Sequence, residues 1–242
     1  MRAEEAGADV AATRLYRLAR ERRPDRRPPN DERGVAGADS VERCELCGAA
    51  IADAHRHLLD MSARRLLCAC RACSMLFAHG SVGQQQLRLV PEEIRRPDGF
   101  EMDDATWAAL AIPVDIAFFF LDTAARRTVA LYPGALGVTE SRLSLDAWHA
   151  IVRRNPVLAG LEPDVEALLV NRTRGAREQW LVPVDVCYQL AGLIRTHWKG
   201  LAGGEEVWRQ LDLFFDDLRR RALGAAAPLP NVHSSLNMER TP

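Results

Sequence analysis

Four cysteines in two pairs constrain this chain more than any other feature. Cys44 and Cys47 stand in CELCG, Cys70 and Cys73 in LLCACRACSMLF, and 22 residues lie between the pairs. A two-residue gap lets a tight turn aim both sulfurs of a pair at one point. The backbone N–H groups of that turn can then hydrogen-bond to the thiolates and spread their charge. Gly48, just after the second cysteine, suits the left-handed backbone that closes such a knuckle. Ser74, in the matching place of the second pair, does not, so the second knuckle is the less ideal one. Two facing knuckles make a tetrahedral four-thiolate site, which suits zinc and also a single iron of the rubredoxin kind. The separation of the pairs is slightly longer than a zinc ribbon usually shows. Cys44, Cys47, Cys70 and Cys73 are therefore the expected ligands of one metal ion, zinc first and iron as the alternative.

The remaining sulfur and imidazole groups read differently. On a strand, Cys68 faces the same side as Cys70, since side chains alternate with period two. It can replace Cys70 as a ligand, or sit beside the site as an oxidisable thiol. The symmetric pair made with Cys70 favours Cys68 as a non-ligand. His55 and His57 in HRHLLD, and His79 further on, read as polar loop histidines, because four cysteines already complete the site. A histidine ligand would make the site mixed and more suited to catalysis, since structural zinc sites are closed. Cys187 lies alone in the apolar stretch DVCYQLAGL and reads as a small buried side chain.

Bulk properties exclude several classes. A hydrophobic content of 48% with 27% charged residues is that of an ordinary globular chain rather than a disordered one. The net charge is −1, from 32 basic and 33 acidic residues, so no overall field favours nucleic acid or an anionic membrane. Lys199 is the sole lysine among the basic residues, a compositional bias of the codon kind. The N-terminal stretch MRAEEAGADVAATRLYRLARERRP lacks an apolar segment and mixes acids with its arginines, unlike a secretory signal. The most apolar run, IPVDIAFFFLD, is interrupted by Asp115 and falls well short of the roughly twenty residues a bilayer requires. The expected compartment is the cytoplasm, where clustered cysteines serve metals more often than disulfides.

Pattern and punctuation divide the chain into a disordered tail over 1–42, a four-cysteine ribbon over 43–90, an α+β domain over 91–224 and a second tail over 225–242. One short amphipathic helix is possible around Val10 to Arg22. QQQLRLVP, Gln84 to Pro91, alternates weakly and reads as the strand that closes the ribbon. In the larger domain a short helix starts near Asp103. DIAFFFL, Asp115 to Leu121, is apolar enough for a strand buried on both faces, and RTVALYP pairs with it as a hairpin. LSLDAWHAIVRRNP forms a helix capped by Ser144 and stopped at Asn155-Pro156. VEALLV and QWLVPV make a second hairpin across NRTRGARE, and helices follow from about Asp185 to Lys199 and Glu205 to Leu223. The expected fold class is α+β: a small four-cysteine, zinc-ribbon-like module followed by an antiparallel sheet of two hairpins packed by three to four helices.

No P-loop, dinucleotide fingerprint, nucleophile elbow or HExxH motif is present. YPGALGVTES reads as an ordinary connection. Asp185 opens its helix and complements the dipole, and Asp115 flanks an apolar segment. No residue is therefore assigned to catalysis.

The ordered run CELCG, HRHLLD, LLCACRAC, IPVDIAFFF, ALYPGALGVTES, PDVEALLVNR and GGEEVW resembles an uncharacterised family of bacterial proteins. In the family it resembles, genes often lie beside those of actinobacterial-type uptake nickel–iron (NiFe) hydrogenases. The likeness spans Cys44 to about Leu223, and the tails fall outside it. It implies an accessory role in making or operating a hydrogenase, with a zinc-ribbon or rubredoxin-like module and no assigned catalytic residues. The expected function is that of a non-catalytic metal-binding protein that docks a protein partner, a hydrogenase subunit or maturation factor. The alternative is a rubredoxin-like iron electron carrier or redox-protective protein. A nucleic-acid-binding ribbon would use Arg43, Arg56, Arg64, Arg65 and Arg71, but few aromatics interleave with them. A zinc hydrolase would need an open coordination position.

Overall fold

A strand that is apolar on both faces has to be covered twice, and this requirement sets the layers of the molecule. The computed structural model describes residues 41–78, 86–200 and 203–224. The helix expected around Val10 to Arg22, His79, the tail over 225–242 and all but two residues of the tail over 1–42 lie outside the described residues. Within the described residues there are eight strands: Arg56–Asp60 (β1), Arg65–Ala69 (β2), Leu87–Leu89 (β3), Ile116–Asp122 (β4), Arg127–Gly134 (β5), Gly137–Ser141 (β6), Glu166–Asn171 (β7) and Glu178–Pro183 (β8). The α-helices are Arg71–Met75 (α1), Asp104–Ala109 (α2), Leu145–Arg154 (α3), Val184–His197 (α4) and Gly204–Ala222 (α5).

Strand β4 lies at the centre of a five-stranded antiparallel sheet of order β6-β5-β4-β7-β8. Its side chains alternate. Phe118 and Phe120 join the core made with α4 and α5, where Phe118 meets Tyr188 edge to face at 6.0 Å. Phe119 turns to the opposite layer, stacked on Trp148 of α3 at 5.1 Å and edge-on to Trp107 of α2 at 6.5 Å. The sheet is thus enclosed by two helical layers, and the period-two alternation of one strand feeds both. Asp103 caps α2 by accepting from the Thr106 N–H at 2.7 Å, and Ser144 caps α3 as its sequence position predicts.

Both expected hairpins form, β4 with β5 and β7 with β8, and β4 joins them by pairing with β7. The stretch expected as an ordinary connection after Tyr132 instead folds back as a third hairpin, with Tyr132 opposite Thr139 and Gly134 opposite Gly137. The two turn residues, Ala135 and Leu136, are followed by Gly137 at φ +120, a conformation open to glycine that lets the chain enter β6. The resulting edge strand is short and mostly half-buried, so its apolar signal is weak.

The cysteine-bearing segment forms its own three-stranded antiparallel sheet, order β2-β1-β3. Its buried core is small: Leu58, Leu67 and Ala69, flanked by Leu46, Phe77, Leu87 and Leu89. A core of this size does not hold a sheet unaided. Part of the support comes from the large sheet, against which Leu59 and Val90 pack through Val165. Part is ionic. Arg64, at φ 50 in the β1–β2 turn, places its guanidinium on both oxygens of Asp122 at 3.1 and 2.7 Å, and the Asp122 side chain is 0% exposed. Arg88 of β3 reaches Asp164, Glu162 and the Pro163 carbonyl.

Replacing Arg64 with alanine leaves the Asp122 carboxylate buried without this two-pronged partner. The expected loss is about 3 kcal/mol of folding stability, the scale for breaking one side of a buried pair. Urea denaturation of the variant checks it, and an unchanged midpoint would show that the buried Asp122 carboxylate does not depend on Arg64.

Candidate metal centre

The first knuckle is a backbone construction. Arg43 and Ala50 form an antiparallel bridge, and within it the Cys44 N–H donates to the Ala49 carbonyl while the Gly48 N–H donates to the Cys44 carbonyl, both at 2.8 Å. Gly48 closes the turn at φ +77, the left-handed conformation its position predicts. Glu45 straps this knuckle to β2: its backbone N–H donates to the Cys68 carbonyl at 2.9 Å, and its carboxylate accepts from the Cys68 N–H and Arg65.

The second knuckle uses another device. Cys70 follows β2 and occupies the N-cap of α1, where its Sγ accepts from the Cys73 N–H at 3.4 Å. The chain then continues into helix, so Ser74 sits inside α1 and its hydroxyl donates to the Arg71 carbonyl. A helical exit needs no left-handed residue. The absence of glycine at Ser74 is therefore no defect in this knuckle.

The four sulfurs of Cys44, Cys47, Cys70 and Cys73 converge, all within 4.8 Å of one another, with Cys47 and Cys70 at 3.7 Å. A tetrahedron built on metal–sulfur bonds of about 2.3 Å has edges of about 3.8 Å. The cluster therefore has the donors and the approximate size of a four-thiolate site and can hold a metal ion. Cys44 is buried and Cys47 exposed, so the cluster lies at the edge of the small sheet. Its electrostatics show why a cation fits. Burial pushes the Cys44 thiol up, but backbone hydrogen bonds from Cys70, Cys47 and Leu46, with the Cys47 side chain, outweigh it and bring it down to about 7. Burial, hydrogen bonds within the cluster and the neighbouring Cys44 charge hold the Cys73 proton well above the ordinary thiol range. One negative charge is accommodated and further charges are resisted. A bound divalent ion relieves that repulsion and lets every thiol ionise.

Cys68 takes no part in this set. It lies opposite His57 in the β1–β2 register, and the structure gathers Cys68 with His55 and His57. His57 is not a loop residue: it sits within β1, 9% exposed, with Nδ1 at 2.8 Å from Asp185 Oδ2. Burial disfavours the charged ring, but the Asp185 carboxylate and Cys68 sulfur outweigh it and raise His57 to about 9. Asp185 lies in the first turn of α4, as expected, yet its side chain also bridges to the small sheet. No local pattern announces that contact, because 128 residues separate the partners. Cys187 is fully buried in the α4–α5 core, which pushes its thiol well above the usual value.

An α+β fold carrying a four-cysteine cluster competent for a metal ion is the class these features define. Over residues 43–222 the chain matches a family of unknown function, DUF5947, and it belongs to that family. Neither the curated proteins nor the solved structures contain a match to it.

Gly48→Ala tests the first knuckle. A Cβ there meets nothing within 4 Å, so the whole effect is backbone strain at positive φ. About 1–2 kcal/mol of stability should be lost, read as a lower melting temperature. The matching Ser74→Gly change should cost less than about 1 kcal/mol, as expected for glycine within a short helix.

Proposed function

We propose that this chain is a non-catalytic metal-binding accessory protein. One ion, bound by Cys44, Cys47, Cys70 and Cys73, keeps a ribbon over 43–90 folded on an α+β domain over 91–224. The observation that carries this reading is the convergence of four thiols, from two segments, at the edge of a sheet with very little core of its own. Structural metal sites supply folding free energy on the order of 10 kcal/mol, which a sheet of this size requires. Four sulfurs fill a tetrahedral shell and leave no position for a substrate, which favours a structural over a hydrolytic role at this cluster.

The accessory role, in the cytoplasm and beside a hydrogenase subunit or maturation factor, rests on the motif order shared with the hydrogenase-linked family. Among the described residues no helix is long and apolar enough to cross a membrane. Four of the five arginines near the knuckles are already engaged within the chain, Arg43 on the Gly48 carbonyl, Arg56 on Glu92, Arg64 on Asp122 and Arg65 on Glu45. This argues for a protein partner over a nucleic acid.

Metal content by mass spectrometry, with a visible spectrum, on protein purified without air or added metal tests the proposal. Zinc without colour supports the structural ribbon. Iron with thiolate charge-transfer bands would instead make the protein a rubredoxin-like electron carrier or redox-protective protein, and absence of any metal sinks both. Cys47→Ser should release the ion from the four-cysteine site and unfold the ribbon while residues 91–224 keep their protection from hydrogen exchange. Loss of protection throughout would show that the two parts do not fold separately.

A further inference from the structure

We infer that the chain carries a second metal site, separate from the four cysteines, in which His55, His57 and Cys68 hold a divalent transition ion with one coordination position open to a cavity. Register brings the three side chains together. His57 and Cys68 are cross-strand partners, so their side chains stand on one side of the β1–β2 hairpin. His55 precedes His57 by two residues and returns to the same side. One ligand atom from each of the three lies within 4.8 Å of the other two, and the imidazoles meet edge to face with centroids 4.8 Å apart.

The surroundings of the two rings supply an independent observation. Metal-bound histidines are held by a carboxylate or backbone carbonyl on the ring nitrogen that does not face the ion. Both rings here have that support. Nδ1 of His57 is 2.8 Å from Asp185 Oδ2, and Nδ1 of His55 is 2.9 Å from the Ala52 carbonyl and 3.5 Å from Glu42 Oε2. Nε2 is then the nitrogen each ring offers. The third donor is fixed from behind as well, since the Cys68 N–H donates to Glu45 at 2.8 Å.

Two imidazoles and a thiolate suit zinc, cobalt or nickel and do not suit calcium or magnesium. Three protein donors with a fourth position available is the pattern of reactive zinc sites, unlike the closed four-sulfur cluster nearby. His55, His57 and Asp185 line a cavity of about 1100 Å³, together with Glu92, Gln189 and Arg221. Cys68 does not line that cavity, so a fourth donor, a water or small molecule, would enter past the two rings. The same neighbourhood also contains the elements of a thiol nucleophile, with Cys68 beside His57 and His57 oriented by Asp185. His55 and its own carbonyl support have no task in such a dyad, and they decide the assignment in favour of a metal.

Full-length protein reconstituted with zinc under reducing conditions should hold about two ions per chain, and His55→Ala or Cys68→Ser about one. X-ray absorption at the zinc edge of the wild-type protein should show nitrogen beside sulfur scatterers, and both variants should leave a sulfur-only shell. A sulfur-only shell in the wild-type protein overturns the second site and leaves the four-cysteine site standing. A single ion per chain with nitrogen in its shell would mean one mixed cysteine–histidine site and overturns the proposal of a separate second one. If a variant fails to fold, the wild-type absorption spectrum decides the matter unaided. Rapid alkylation of Cys68 by iodoacetamide in the zinc-loaded protein would assign it as a nucleophile and overturn the proposal.

Discussion

The rest of the structure depends on the double burial of β4. Phe118 and Phe120 commit one face to α4 and α5, Phe119 commits the other to α2 and α3, and all three are at most 3% exposed. A strand loaded on both faces has to be central, because an edge position would leave its unpaired backbone beside apolar side chains. From that centre β5 and β6 extend the sheet on one side and β7 and β8 on the other, and Asp122 at the end of the strand is carried into a buried position. The carboxylate there requires a cationic partner, and the small sheet provides Arg64.

The contact between the two sheets is therefore as much ionic as apolar. Arg64 on Asp122 of β4, Arg88 on Asp164 and Glu162 just before β7, and His57 on Asp185 of α4 each tie the small sheet or its turn to the elements around the large one. Pairs whose carboxylate is buried or largely so, as at Asp122, Asp164 and Asp185, contribute little net energy, because desolvation offsets much of the attraction. They do penalise any other placement, since a shifted sheet would strand a charge inside. The apolar contact through Val165 supplies area, and the pairs supply position.

One hairpin, β1–β2, thereby organises two groups of soft ligands. At its outer end β2 delivers Cys70 into the four-sulfur cluster, while two residues earlier Cys68 turns toward His57 and His55. The first group gathers four thiols that resist ionising together. The second is backed by Asp185 of α4, and its two histidines border open volume. Metal binding at the first would hold the small sheet folded, and the second depends on where that sheet docks.

Much of this was legible from the chain alone. The C-x-x-C pairs, the left-handed Gly48, the two hairpins, the Ser144 cap and the double-faced phenylalanine run are all local patterns, and spacing or conformational preference determines them. The tertiary structure decided the rest. The β6 hairpin was hidden because a short edge strand carries little apolar signal. The helical exit that makes a glycine unnecessary at Ser74 depends on how α1 continues from the knuckle. The partnership of Cys68 with His55 and His57 arises from strand register, and that of His57 with Asp185 from the docking of the small sheet against α4. Neither is written in any window of neighbouring residues, because periodicity states which side of a strand a residue faces but not what waits there.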